Sequence, residues 1–301
     1  MALGGTSFSV EGIILPQREQ VERSRLPDFS TIDARKAQPQ NAVGETPAAP
    51  DDAFGAQVIL KEKPQQRDFE VFSETAVFHT SNVALARENA KGDNFLNATI
   101  GLGWRHSFTD RLSLAISGRY SVFRYNRYGI LDFQSADASM SLGIKLPAKW
   151  ELAVGYGFTQ LTTGSNQSEF YNEHAINVGL QRVFALNDAN FLIAGFGPSW
   201  TWAEPKTSQR DRYAAYLGWH WRVTDRISTD LLYRYSHFVY RESGTGRRDH
   251  NQTLSLSIRY NLTDWLALTA SGYAAWNRSN QSAFDFDAWN LGGSVGLNAR
   301  F

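Results

Sequence analysis

In an extended strand, residues two apart share a face, so a charged side chain recurring among small ones at alternate positions builds a wall. Residues 111–122 read this way. Arg111, Ser113, Ala115, Ser117, Arg119 and Ser121 fall on one face, and Leu112, Leu114, Ile116, Gly118, Tyr120 and Val122 on the other. Residues 213–223 repeat the division, with Ala214, Tyr216, Gly218, His220 and Arg222 set against Tyr213, Ala215, Leu217, Trp219, Trp221 and Val223. Along the whole chain the polar face collects Arg105, Arg111, Arg119, Lys145, Arg222, Arg234, Arg259 and Arg300, with Glu70, Glu74, Asp137, Glu151 and Asp230 as counter-charges. The surplus is positive, and arginines on a pore wall favour anions in a low-dielectric constriction. Paired as guanidinium and carboxylate, the same residues would instead brace and close an interior.

Covalent chemistry finds less support. There is no Cys, hence no disulfide, thiolate metal site or cysteine nucleophile. His106, His174, His220, His237 and His250 show no metal-ligand spacing, and no Gly-rich phosphate loop stands between a strand and a helix. His79-Thr80-Ser81-Asn82 places a hydroxyl near an imidazole, yet Ser81 more simply begins a polar loop. Thirty basic and thirty acidic residues give zero net charge, which argues against nucleic acid as a partner. No catalytic, cofactor-binding or metal site is expected, no cofactor is implied, and the chain is read as a non-enzyme.

Strands must position the wall. From residue 69 onward, period-two alternation predicts twelve of them, at 69–79, 94–107, 111–125, 133–146, 149–161, 171–186, 190–203, 211–223, 226–240, 250–262, 265–277 and 287–301. Short connections at Ser107–Asp110, Pro147–Ala148, Asn187–Asp188, Thr224–Asp225 and Thr263–Asp264 alternate with longer ones near 80–93, 126–132, 162–170, 204–210, 241–249 and 278–286. That alternation predicts an all-β fold: an antiparallel up-and-down barrel with both ends of the strand region at one rim. Three turns share a pattern around Thr109-Asp110, Thr224-Asp225 and Thr263-Asp264, and the apolar residue two after each Asp starts an outward row.

Nineteen Phe, twelve Tyr and nine Trp exceed what a soluble core would take up. Outward aromatics fall near strand ends: Trp104, Trp150, Trp219, Trp221 and Tyr260 toward the short turns, and Tyr120, Trp200, Trp202, Tyr213, Tyr235, Trp276 and Trp289 toward the long loops. Two such girdles fit the two headgroup levels of a bilayer. No stretch reaches eighteen consecutive apolar residues, so the crossing is made by strands.

Residues 1–68 differ. They hold Pro16, Pro27, Pro39, Pro47, Pro50 and Pro64 of the nine prolines and only Phe8, Phe29 and Phe54 among aromatics. They read as a largely irregular periplasmic extension, disordered or extended, with apolar patches at Val10 to Leu15 and Val58 to Leu60 that could pair or dock locally. The start, MALGGTSFSVEGIILP, shows no charged segment followed by a long apolar one, so a signal peptide is not visible in this chain.

The last strand, Trp289 to Phe301, resembles the C-terminal signal of Gram-negative outer-membrane barrels, with Val295, Leu297 and Phe301 in the matching places and a smaller Ala299. Residues 69–301 are similar to the β-barrel porin group of those bacteria. The resemblance implies the outer membrane as location, with its lipid, lipopolysaccharide and barrel-assembly machinery as partners; an envelope partner for residues 1–68 is a further possibility. The charged wall also resembles small twelve-stranded channels for acidic oligosaccharides. Outer-membrane phospholipases are matched poorly at His79–Asn82, without their following Gly or calcium site. Autotransporters share the strand number, but Lys63-Pro64-Gln65-Gln66-Arg67-Asp68 is too short and broken for their helix. The expectation is therefore a channel for passive diffusion of small polar solutes with mild anion preference. The alternative is a structural, assembly or secretion barrel with a closed lumen and an N-terminal arm that binds an envelope partner.

Overall fold

The computed structural model describes residues 10–24, 68–164, 168–244 and 246–301, with side chains of the first segment described over 14–21. Its elements are α1 (Val10–Ser24) and the strands β1 (Phe69–Thr80), β2 (Asp93–Ser107), β3 (Leu112–Tyr125), β4 (Phe133–Lys145), β5 (Trp150–Thr163), β6 (Glu169–Ala185), β7 (Asn190–Glu204), β8 (Arg210–Arg222), β9 (Ile227–Tyr240), β10 (Arg248–Asn261), β11 (Leu266–Ser279) and β12 (Phe286–Arg300). Each strand pairs antiparallel with its sequence neighbours, and β1 pairs with β12, so the sheet is a closed twelve-stranded barrel. Closure leaves no strand edge with unpaired backbone groups, the condition for crossing a bilayer with strands.

Turn chemistry pins the register. The hydroxyls of Thr109, Thr224 and Thr263 each accept the backbone N–H three residues on, at 3.0 Å, and their own N–H groups bond back to Leu112, Ile227 and Leu266. The recurring Thr thus carries the turn, and the following Asp is exposed. At the seam, Phe301 N–H donates to Phe69 O at 2.9 Å and Phe69 N–H to Phe301 O at 3.3 Å, which closes the ring at the short-turn rim.

The outward rows carry an apolar belt that is exposed in the isolated chain: Ile100, Leu102, Leu217, Leu256, Ile258, Leu291 and Val295. A contiguous band of this kind is at rest only against lipid. Inside, aromatic rings lie flat over glycines of the adjacent strand, Phe72 over Gly101, Tyr216 over Gly195 and Phe78 over Gly292. A Cβ on any of these glycines would meet the ring at 2.3–2.4 Å.

Of residues 1–68, only 10–24 and Asp68 are described, so the Val58 to Leu60 patch lies outside the described residues. The Val10 to Leu15 patch is the first turn and a half of α1, a helix that the sequence pattern did not mark. It is held inside the barrel.

Candidate functional site

Strand register decides which side chains meet the lumen. Arg105 faces Ala115, Arg119 faces Asp137, Lys145 faces Glu151, Arg222 faces Ser228, Arg234 faces Thr253 and Tyr216, Arg259 faces Thr269, and Arg300 faces Glu70. All lie on the interior parity. Arg111 stands one residue before β3, where its carbonyl accepts the N–H of Lys145. Asp230 sits across from His220 on the same face, their side chains 2.6 Å apart.

These residues form no single cluster. Arg119 Nε lies 3.3 Å from Asp137, Arg300 Nη2 lies 3.3 Å from Glu70, Arg222 donates to the carbonyl of Asp188 at 2.6 Å, and Arg259 donates to Asn261 at 3.0 Å. Glu151 accepts from Gln181 at 3.1 Å. The Arg234 guanidinium stacks 5.6 Å from the Tyr216 ring. Arg105, Arg111 and Lys145 are exposed at the short-turn rim.

Burial splits the interior into two halves. Toward the short turns the inward row is open to solvent at Ser117, Ser139 and Arg259, while Phe191, Ile193, Leu232 and Ala267 are buried there. Toward the long loops it is sealed: Phe95, Asn97, Ser121, Phe123, Phe133, Ser135, Asp249, Asn251 and Thr253 are all buried. Helix α1 fills this half. Ile14, Leu15 and Val21 join one apolar cluster with Ala76, Phe78, Val83, Phe95, Phe123, Phe133 and Leu161 from the wall and the β1–β2 loop.

Polar anchors fix the helix. Gln17 donates to the carbonyls of Asn82 and Val83 at 2.9 and 2.8 Å. Arg18 donates to Ser135 at 3.1 Å, to Thr159 at 3.4 Å and to Asp137. Asp137 is thereby shared by Arg18 and Arg119 and also accepts from Ser135 at 2.8 Å and Thr159 at 2.7 Å. Glu19 pairs with Arg210, which lies 3.8 Å from Glu173. Buried charges survive only when paired and hydrogen-bonded, and here each partner comes from a different element. The loop that receives Gln17 is itself tied to β12, since Asn82 Nδ2 donates to the carbonyl of Asp287 at 3.0 Å and Ser81 Oγ accepts the N–H of Trp289 at 2.9 Å.

Sequence reasoning found Asp137 and Arg119 but missed Gln17, Arg18, Glu19, Glu173 and Arg210, all of which act at the helix. The usable signal was the run Gln17-Arg18-Glu19-Gln20, a polar stretch with helix-forming residues directly after an apolar patch. At His79–Asn82, His79 hydrogen-bonds Asn94 at 2.9 Å, and Asn82 braces its loop through Ala86 N and O at 2.9 and 2.7 Å.

Three comparisons bear on this arrangement. The family model described as TonB dependent receptor-like, beta-barrel matches residues 45–298. An outer membrane channel from Pseudomonas putida F1 superposes with a TM-score of 0.57 at 12% identity, covering 84% of this chain and 100% of that one. The translocator domain of the autotransporter NalP from Neisseria meningitidis gives a TM-score of 0.45 at 10% identity over 79% of this chain and 90% of that one. The KdgM porin in complex with disordered oligogalacturonate gives 0.38 at 8% over 74% and 97%. No curated protein matches the chain in sequence. At such identities the first likeness establishes the barrel fold, and the two lower scores carry no argument.

Proposed function

Because the chain belongs to the TonB dependent receptor-like β-barrel family, we propose that this outer-membrane barrel is a channel for small polar solutes, with a mild preference for anions and its loop-side mouth closed by α1 at rest. The observation that carries the reading is the two-part lumen: a solvent-accessible half walled by Ser, Gly and an excess of Arg, capped by a helix held through separable polar anchors. Cations at the open rim raise the local concentration of anions there. The hydrogen bonds of His79 to Asn94 and of Ser81 to the backbone of Trp289 tie both side chains into the structure and support a non-enzymatic barrel. The outward positions of Val295, Leu297 and Phe301 suit recognition by the assembly machinery, and the exposed belt suits lipid and lipopolysaccharide.

The depth of α1 favours a second reading, a structural or assembly barrel that stays shut, with the rest of residues 1–68 engaging an envelope partner. Planar-bilayer recording of the full chain and of an Arg18→Met variant separates the two. The channel reading expects rare openings that become frequent in the variant. Under a salt gradient, their anion-selective reversal potential moves toward zero when Arg105 and Lys145 are also replaced by Ala. Folded protein that is silent in both forms would leave the structural reading.

A further inference from the structure

The loop-side mouth contains a cleft that the closed lumen does not account for. It lies between α1 and the long loops, and its lining includes Gln20 and Arg210, Asn251 and Asn277 on the wall, and Tyr240 and Phe284 beside it. Gln20 is 1% exposed, and neither its Nε2 nor its Oε1 has a hydrogen-bond partner among the described residues. A buried amide left this way loses its hydration without return, at a cost set by two unmade hydrogen bonds, so such a group is retained where something else completes it.

The other lining groups are already held in place. Asn277 Nδ2 donates to the carbonyl of Phe284 at 2.8 Å, and Asn251 Nδ2 lies 3.4 Å from Asn277 Oδ1. Arg247 chelates Asp249 and stacks 3.4 Å above the Phe284 ring and 4.1 Å from the Tyr240 ring. Arg210 pairs with Glu19 and stacks 5.1 Å from the Phe238 ring. Every guanidinium that lines the cleft has a carboxylate beside it, so the cleft is electrically balanced. It selects neither anions nor cations. What it offers is two aromatic rings that each carry the Arg247 guanidinium on one face, fixed amides and one amide that both donates and accepts.

We propose that this cleft is a binding site for a neutral polyhydroxylated ring, a single sugar unit, at the mouth of the barrel. The ring's apolar C–H face packs on the side of Phe284 away from Arg247, and its hydroxyls, each donor and acceptor at once, complete the Gln20 amide and reach Asn251. Uncharged hydroxyls suit a balanced site, whereas an acid or amine would bring one unpaired charge into it. The inference concerns this neutral cleft at the loop-side mouth, apart from the anion-favouring open half, and rests on the channel reading only for its transport meaning; the binding itself does not.

The test is titration of the full chain in nanodiscs with methyl glucoside, glucuronate and glucosamine, read by saturation-transfer NMR, with planar-bilayer conductance recorded on the same preparations. Saturable binding of methyl glucoside is expected. It should be at least tenfold tighter than binding of either charged analogue and weakened tenfold or more in Gln20→Leu and, separately, in Phe284→Ala. The second variant sits in the β11–β12 loop, away from the helix core, so a folding defect in Gln20→Leu does not blunt the test. Absence of saturable binding, equal binding of the charged analogues, or unchanged affinity in both variants overturns the site. Binding by a barrel that stays silent would keep the site and remove the channel. Conductance without binding would do the reverse.

Discussion

Replacing Arg18 by Met should release α1 without damaging the barrel that holds it. Met keeps most of the aliphatic stem and removes only the guanidinium, which is buried against Asp137, Ser135 and Thr159. Breaking one partner from a buried ion pair costs about 3–5 kcal/mol. Asp137 keeps Arg119 at 3.3 Å and the hydroxyls of Ser135 and Thr159, so the lower end applies, about 3 kcal/mol. At roughly 1.4 kcal/mol per decade, that multiplies the population with α1 displaced by about 100-fold or slightly more. The chain has no cysteine, so a single probe reports cleanly. Ala76 faces the interior, is 1% exposed and belongs to the apolar cluster that contains Ile14, Leu15 and Val21. In an Ala76→Cys background, modification by a small water-soluble thiol reagent should therefore accelerate about 100-fold on adding Arg18→Met, by the same arithmetic. Heat-modifiable electrophoretic mobility would check that the barrel is intact. An acceleration of less than about threefold in folded barrels, which is about 0.7 kcal/mol or roughly a fifth of the expected free energy, would refute the claim that this anchor holds the helix.

Two further outcomes follow from the strands. A Cβ at Gly197 would lie 1.9 Å from the carbonyl oxygen of Val178, whereas one at Gly179, its inward neighbour across the β6–β7 pair, meets nothing within 4 Å. Gly197→Ala should lower the folded fraction severalfold in refolding trials and Gly179→Ala should not; equal yields would contradict the register. Phe301→Ala keeps both backbone bonds to Phe69 and loses only the ring, while deletion of Phe301 loses the bonds as well, about 1 kcal/mol each. Urea unfolding should then separate the deletion from Phe301→Ala, while the amount reaching the outer membrane in cells should fall in both. Normal assembly of Phe301→Ala would remove the terminal ring from the assembly signal.

The barrel was legible because a strand with lipid on one side and lumen on the other must alternate at every position, and Thr-Asp turns punctuate the pattern. Predicted strands 94–107 and 190–203 meet observed strands Asp93–Ser107 and Asn190–Glu204, and all twelve agree within two residues at either end. The inward parity of Arg119 and Asp137 was readable for the same reason. Helix α1 was not, because its surroundings are the reverse of those that produce a helical stripe. Ile14, Leu15, Gln17, Arg18, Gln20 and Val21 are all buried, polar and apolar residues interleaved on the covered side, so no hydrophobic face stands out. Pro16 within the helix weakened the local signal further. Arg210 fell into a predicted loop and could be recognised only once Glu19 had been placed beside it.

The β1–β2 loop touches two things at once: its carbonyls at Asn82 and Val83 hold Gln17 of the helix, and its Asn82 and Ser81 side chains hold the backbone of β12 at the seam. Two equilibria that share one element are linked, and the linkage is equal in both directions. If removal of α1 loosens the loop end of the β1–β12 junction, an opened junction loosens α1 by the same free energy. The place where the ring is joined is, in this protein, also the hinge on which its stopper hangs.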